Sequence, residues 1–327
     1  MPYYPERKPE APDKERTQAQ AAEKRGKRLR RIIVLVSIAL IGYGGVRLLL
    51  YQSDLVSSRE TSRELQEIHE QAETEETIPT PGITVSPAPS PANTAEPLPA
   101  AETAPADQNA DDGLLRPVAY PDNSLPMISE RFLKLRRKSE YIVGWLSMDG
   151  VEEAVAQKDN TFFLNHDALG KRNGNGAIFL DEGIRLATRP YTLILYGHNM
   201  KSGNMFGSLK KYKESAYFYS HRIISFDSLY EEGQYAVFAV MEMDTTPGIA
   251  RWYDLWSLTT DRKADREEAI RKLERRSVIS DSLDVQAEDQ LLILVTCLDG
   301  DTERLVVVAR RLREGETANH LTIQFRN

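Results

Sequence analysis

The sequence predicts a mainly β domain, a closed or nearly closed barrel of about eight strands with helical insertions, set behind one membrane-spanning helix and a Pro-rich linker. Three observations lead there. A basic cluster and an apolar run stand near the N-terminus. A Pro/Ala/Thr-rich stretch follows. Beyond it come short segments rich in β-branched and aromatic residues, separated by turn residues.

The first 31 residues are polar and end in Lys24, Arg25, Lys27, Arg28, Arg30 and Arg31. Residues 32–50 read IIVLVSIALIGYGGVRLLL. At about 1.5 Å per residue this run spans roughly 28 Å, close to the hydrocarbon thickness of a bilayer. Arg47, its one charge, lies near the far end, where a long stem reaches the interface. A cleaved signal peptide would have a shorter apolar core and a small-residue cleavage site. An uncleaved signal anchor over 32–51 is therefore expected, with the basic tail 1–31 cytoplasmic and the remainder outside. Residues 57–76 are charged with sparse apolar positions such as Leu65 and Ile68, which reads as a solvated stalk. Residues 78–126 cannot bury a core, so 52–126 is expected to be stalk and extended linker.

The folded domain is then expected over 127–327. Ile128, Phe132 and Leu135 share one helical face in 128–139. The strand-like segments are YIVGWLSM, TFFLNH, GAIFLD, YTLILYGH, RIISFDSLY, QYAVFAVMEM, LLILVTC and RLVVVARRL. Two helices interrupt them. One lies near 204–217 with Met205, Phe206, Leu209 and Tyr212 at helical spacing. The other lies near 261–277, with Ala269, Ile270 and Leu273 inward and many charges outward.

Of 327 residues with net charge −7, one is a cysteine, Cys297. Mild acidity argues against a nucleic-acid partner. A lone thiol closes no intramolecular disulfide and builds no cysteine metal site; it is core packing, an intermolecular bridge or a nucleophile. YTLILYGH and LLILVTC are continuous apolar runs, as in strands buried on both faces, and they end in His198 and Cys297. Side by side and parallel, they would bring thiol and imidazole to one rim. The turn-rich LDGDTE then leads into RLVVVARRL, a hairpin that would place Arg304 beside the cysteine. A thiolate attacks carbonyls, an imidazole moves protons near neutral pH, and a guanidinium holds a developing oxyanion. Arg310, Arg311 and Arg313 are expected to decorate an exposed strand face. His69, His166, His221 and His320 are read as structural or surface residues. Asp299, Asp301 and Glu303 lack a complete cation-loop spacing and are read as a solvated turn.

The stretches KDNTFFLNHDALGKRNGNGAIFLDE, YTLILYGHNMKSGNMFGSLKKY and LLILVTCLDGDTERLVVVARR closely resemble the class B sortases. IVGWLSMDG resembles the first strand of their catalytic domain, so the likeness covers about residues 128–313. The resemblance implies an eight-stranded sortase-type barrel with His198 as general acid and base, Cys297 as nucleophile and Arg304 as oxyanion or substrate-binding residue. It makes Asn160 a match to a family asparagine. Thr296 and Tyr196 are candidates for contact with substrate or groove wall. It implies cleavage of the C-terminal sorting signal of secreted proteins after Thr and transfer to an amine of peptidoglycan precursor or of another protein, at the cell membrane, with no cofactor and no metal. An L,D-transpeptidase-like wall enzyme is the alternative, but VTCLDG lacks the Ser-His-Gly type motif that precedes that cysteine. A non-catalytic stalked wall-binding scaffold is the other, and an intact Cys/His/Arg set speaks against it.

Overall fold

A computed structural model of the chain describes residues 13–77, 113–115, 127–200, 202–297 and 302–317. Most of the Pro-rich linker, the turn residues Leu298, Asp299 and Asp301, and His320 lie outside the described residues. The chain divides into two compact units, one running to Val56 and the other from Ser57 onward.

Helix α1 covers Asp13–Thr77. Its part over 32–50 exposes its side chains, and Arg30–Glu75 contains a window apolar enough to cross a membrane. From Ser57 the same helix belongs to the second unit, which corrects the reading of a solvated stalk and a domain beginning at 127. Ser58, Thr61, Leu65, His69 and Ala72 are buried. Their spacing of three and four residues puts them on one helix face. Leu65 joins the hydrophobic core. The His69 ring stacks on Trp145 at 4.2 Å. Thr61 donates to Asp167, Ser62 to Glu153, and Asn175 to Ser58. The sequence reading missed this face because four of these five positions are small or polar.

Helix α2 (Glu130–Lys138) starts at Ser129, whose hydroxyl accepts from Phe132 N, and buries Phe132 and Leu135. Eight strands follow: β1 Ile142–Met148, β2 Val151–Ala156, β3 Ile178–Leu180, β4 Thr192–Tyr196, β5 Ile223–Ser228, β6 Gln234–Asp244, β7 Leu291–Cys297 and β8 Glu303–Arg311. They close into a barrel in the order β1-β2-β3-β4-β7-β8-β6-β5. The joins β2–β3 and β4–β7 are parallel. The barrel and its strand number match the expectation, but two segments exchange places. TFFLNH is a 3-10 turn over Phe162–Leu164, because Asp159 Oδ1 accepts from the backbone N of Thr161 and Phe162 and curls the chain there. VEEAVA, with its adjacent glutamates, is β2 instead; Val151, Ala154, Val155 and Ala156 are its buried positions.

The helix expected at 204–217 is a 3-10 segment, Phe206–Lys213, followed by the short helix α3, Ser215–Ser220. The later helix is α4, Lys263–Glu274. Arg266 is fully buried and donates to Ala287 O, Asp289 O, Tyr191 O and Thr192 Oγ1. These acceptors flank or open β4 and β7, so one guanidinium ties α4 to the starts of both strands. Arg310 and Arg311 are also buried, against the expectation of an exposed face. Adjacent strand residues point to opposite sides, so two neighbouring arginines cannot share one exposed face. Arg310 pairs in two-pronged fashion with Glu316, and Arg311 donates to Gln290 Oε1 and Glu232 O. Arg313 is fixed by Asp284 and Asp289.

Candidate active site

The site lies where β4 and β7 end together. Their parallel register runs from Thr192 opposite Leu291 to Tyr196 opposite Val295, and Gly197 N extends it by donating to Val295 O at 3.2 Å. His198 is the next residue on one strand, and Thr296 and Cys297 finish the other. The β7–β8 hairpin is antiparallel with Cys297 directly opposite Arg304. Two backbone registers thus bring the three residues to one rim of the barrel.

The segment after His198 turns back on itself. Phe206 N and Met200 N both donate to His198 O, at 3.0 and 3.1 Å. A side chain at Gly197 would stand 2.8 Å from the Phe206 ring, and one at Gly207 would stand 2.1 Å from Met200 O. The glycines of this motif are therefore places where the loop packs too closely for a Cβ. Loop closure holds the backbone of His198 in place. Its ring is held from the other side, where Nε2 lies 2.8 Å from Leu164 O. That carbonyl ends the 3-10 turn capped by Asp159.

Asn160, Leu164, Phe179, Tyr196, Gly197, His198, Thr245, Val295, Thr296 and Arg304 line a cavity of about 320 Å³. Asn160, Tyr196, His198, Thr296 and Arg304, all expected from the sequence, line it, and Cys297 follows Thr296 along β7. Tyr196 Oη donates to Asp181 Oδ2 at 2.9 Å, and Asn160 Nδ2 donates to the same oxygen at 3.1 Å. Asn160 Oδ1 accepts from Glu182 N, and Asp181 Oδ1 accepts from Gly183 N. Asp181 is buried and was not singled out in the sequence; its only signal there is a polar residue closing the apolar run AIFL. It locks two cavity walls together. Burial, reinforced by the Asp181 charge, pushes the Tyr196 hydroxyl well above the usual phenol range, so it stays protonated. Thr296 Oγ1 is buried without a hydrogen-bond partner among the described residues. Arg304 is half-buried, with Nη1 donating to Glu303 O at 2.9 Å. Among the described residues, no group of three or more His, Cys, Asp or Glu could hold a metal.

Among the described residues, His69, His166 and His221 do not line this cavity. His166 stacks on Phe162 and His221 on Tyr217. His69 is buried on α1, and burial lowers its pKa to about 4.

The Sortase domain family profile matches residues 147–312, half of the chain. The chain belongs to the sortase family. It is 28% identical over 192 residues to Sortase B of Staphylococcus aureus, covering 57% of this chain and 76% of that protein. It is 27% identical over 194 residues to Sortase B of Listeria monocytogenes, covering 58% and 74%. The sortase B structure from B. anthracis in complex with AAEK2 superposes with a TM-score of 0.56 at 26% identity, over 79% of this chain and 97% of that one. A Staphylococcus aureus sortase B–substrate complex gives 0.50 at 28%, over 58% and 88%. These likenesses place the chain among the class B sortases, which are cysteine transpeptidases.

Proposed function

We propose that this sortase cuts the C-terminal sorting signal of secreted proteins after a Thr and passes the acyl group to an amine, either of peptidoglycan precursor or of another protein. The Cys297 thiolate attacks the Thr carbonyl, forming a C–S bond and a tetrahedral oxyanion. Arg304 holds that oxyanion with a charged donor. As the intermediate collapses, the peptide C–N bond breaks and His198 gives its proton to the leaving amine. The acceptor amine then attacks the thioester and His198 takes its proton, which releases the Cys297 thiolate and restores the starting state. Asn160, Tyr196 and Thr296 contact the bound signal or its immediate surroundings. The single observation that supports this reading is the double register, β4 beside β7 and Cys297 opposite Arg304.

The basic cluster before residues 32–50 supports a cytoplasmic N-terminus, with the barrel on the outer face of the membrane. The functional reading is tested by steady-state transpeptidation of peptides carrying Thr–Gly and Thr–Asn bonds. Arg304→Lys keeps the charge but loses the planar fork of donors. Its turnover is expected to fall on the order of a hundredfold or more, with circular dichroism unchanged. Normal turnover by Arg304→Lys would remove Arg304 from the oxyanion role.

A further inference from the structure

The 2.8 Å contact between His198 Nε2 and Leu164 O decides which nitrogen of the imidazole is free to work. A backbone carbonyl only accepts, so the nitrogen facing it must carry hydrogen. Among the described residues the other nitrogen, Nδ1, has no hydrogen-bond partner. We propose that His198 keeps its Nε2 proton on the Leu164 carbonyl throughout turnover and exchanges protons through Nδ1. This rests on the reading of His198 as the acid and base.

The surroundings are built for this arrangement. Leu164 ends the 3-10 turn that Asp159 caps through Thr161 N at 3.0 Å and Phe162 N at 2.9 Å. Across from it Gly176 adopts φ 65°, and its own N donates to Asn173 O. A Cβ there would stand 2.3 Å from Phe163 O and 3.2 Å from His198 Nε2. Backbone thus stands on two sides of the Nε2 edge, so the ring is seated against Leu164 O with that nitrogen turned to the protein. His198 O is meanwhile held by two backbone donors, so neither end of the residue is free to swing. The assignment is the reverse of the Ser-His-Asp arrangement, where Nδ1–H is the fixed end and Nε2 moves the proton.

The proton count closes with this assignment. In the thiolate–imidazolium form both nitrogens bear hydrogen. Nδ1–H goes to the leaving amine as the thioester forms, and the bare Nδ1 takes a proton from the incoming amine as the thioester is consumed. Nε2–H is neither gained nor lost.

Two measurements on the full chain in detergent test this. The first is nitrogen NMR with isotope-labelled histidine, the His198 signals being identified by their loss in His198→Gln. Nε2 is expected to stay in the proton-bearing, pyrrole-like range as pH rises, while Nδ1 moves to the bare, pyridine-like range. A dominant Nδ1–H form, or a mixture of both, would overturn the proposal. The second places Nδ1-methylhistidine at position 198, which leaves Nε2–H and its carbonyl partner intact. Turnover is expected to fall at least a hundredfold, since proton transfer is blocked; retained turnover means that Nδ1 is not the exchanging atom. If His198→Gln itself keeps full activity, the acid–base reading fails, and the NMR result still reports the tautomer separately.

Discussion

At the scale of single residues, the site is a set of side chains whose freedom has been removed by backbone. His198 is fixed by a carbonyl on its ring and two amides on its own carbonyl, and Asn160 and Tyr196 share Asp181. The catalytic candidates were legible because a lone cysteine, a Gly-His strand end and an arginine opening the next strand are rare types in telling places. Asp181 was not, since one acidic residue after an apolar run looks the same whether it caps a turn or anchors two others. Buried arginines misled in the same way: Arg266 and Arg310 are charged in sequence and fully buried in the fold. Glu153 offers a test at this scale. Packed beneath α1 and accepting from Ser62, it has its pKa raised by burial from 4.5 to about 7. The folded state therefore holds more proton than the unfolded state between those values, so this group's contribution to stability falls as pH rises from about 4.5 to 7, and the penalty is complete above 7. Gln at 153 removes the titration. The melting temperature of Glu153→Gln minus that of wild type is expected to grow from pH 5 to pH 8, by on the order of a few degrees. His69, which titrates with the opposite sign, is common to both proteins and cancels. A difference that is flat with pH would show that Glu153 does not ionise in this range.

At the scale of elements, legibility follows pattern strength. β4 and β7 are unbroken apolar runs and were found with their relation to each other. β2 was hidden by Glu152 and Glu153, and the aromatic pair Phe162–Phe163 imitated a strand while Asp159 made a turn. The largest miss is the C-terminal part of α1. Its buried face mixes Leu65 and Ala72 with Ser58, Thr61 and His69, whose burial is tolerable only because of partners on distant segments. Those partners cannot be read from the helix itself. The consequence concerns where the domain can be cut. A chain beginning near residue 125 loses Leu65 from the core and the His69 stack on Trp145, and it opens Glu153 to water. Losing one buried leucine alone costs roughly 2–5 kcal/mol. Denaturant unfolding is expected to give a clearly lower midpoint for a chain starting at 125 than for one starting at 57. Equal midpoints would mean that this helix adds nothing to the domain's stability.

At the scale of the whole molecule, a basic tail, an apolar helix and a barrel follow one another along the chain, and each part was recognisable in its composition or motifs. The boundary between the apolar segment and the barrel unit was not, because helix α1 runs on from one into the other. Topology is the prediction that belongs here. Protease added to intact spheroplasts is expected to digest the barrel; full protection of the barrel would contradict a cytoplasmic N-terminus with the domain outside. The most direct measurement is intact-mass spectrometry of the chain during reaction with a peptide containing a Thr–Gly or Thr–Asn bond. Wild type is expected to show the mass of the acyl fragment attached to the protein at Cys297, and the adduct is expected to disappear when an acceptor amine is added. Cys297→Ala, with an unchanged circular dichroism spectrum, is expected to show neither adduct nor product. Product formed by Cys297→Ala at a rate near wild type would contradict thioacyl catalysis by this residue.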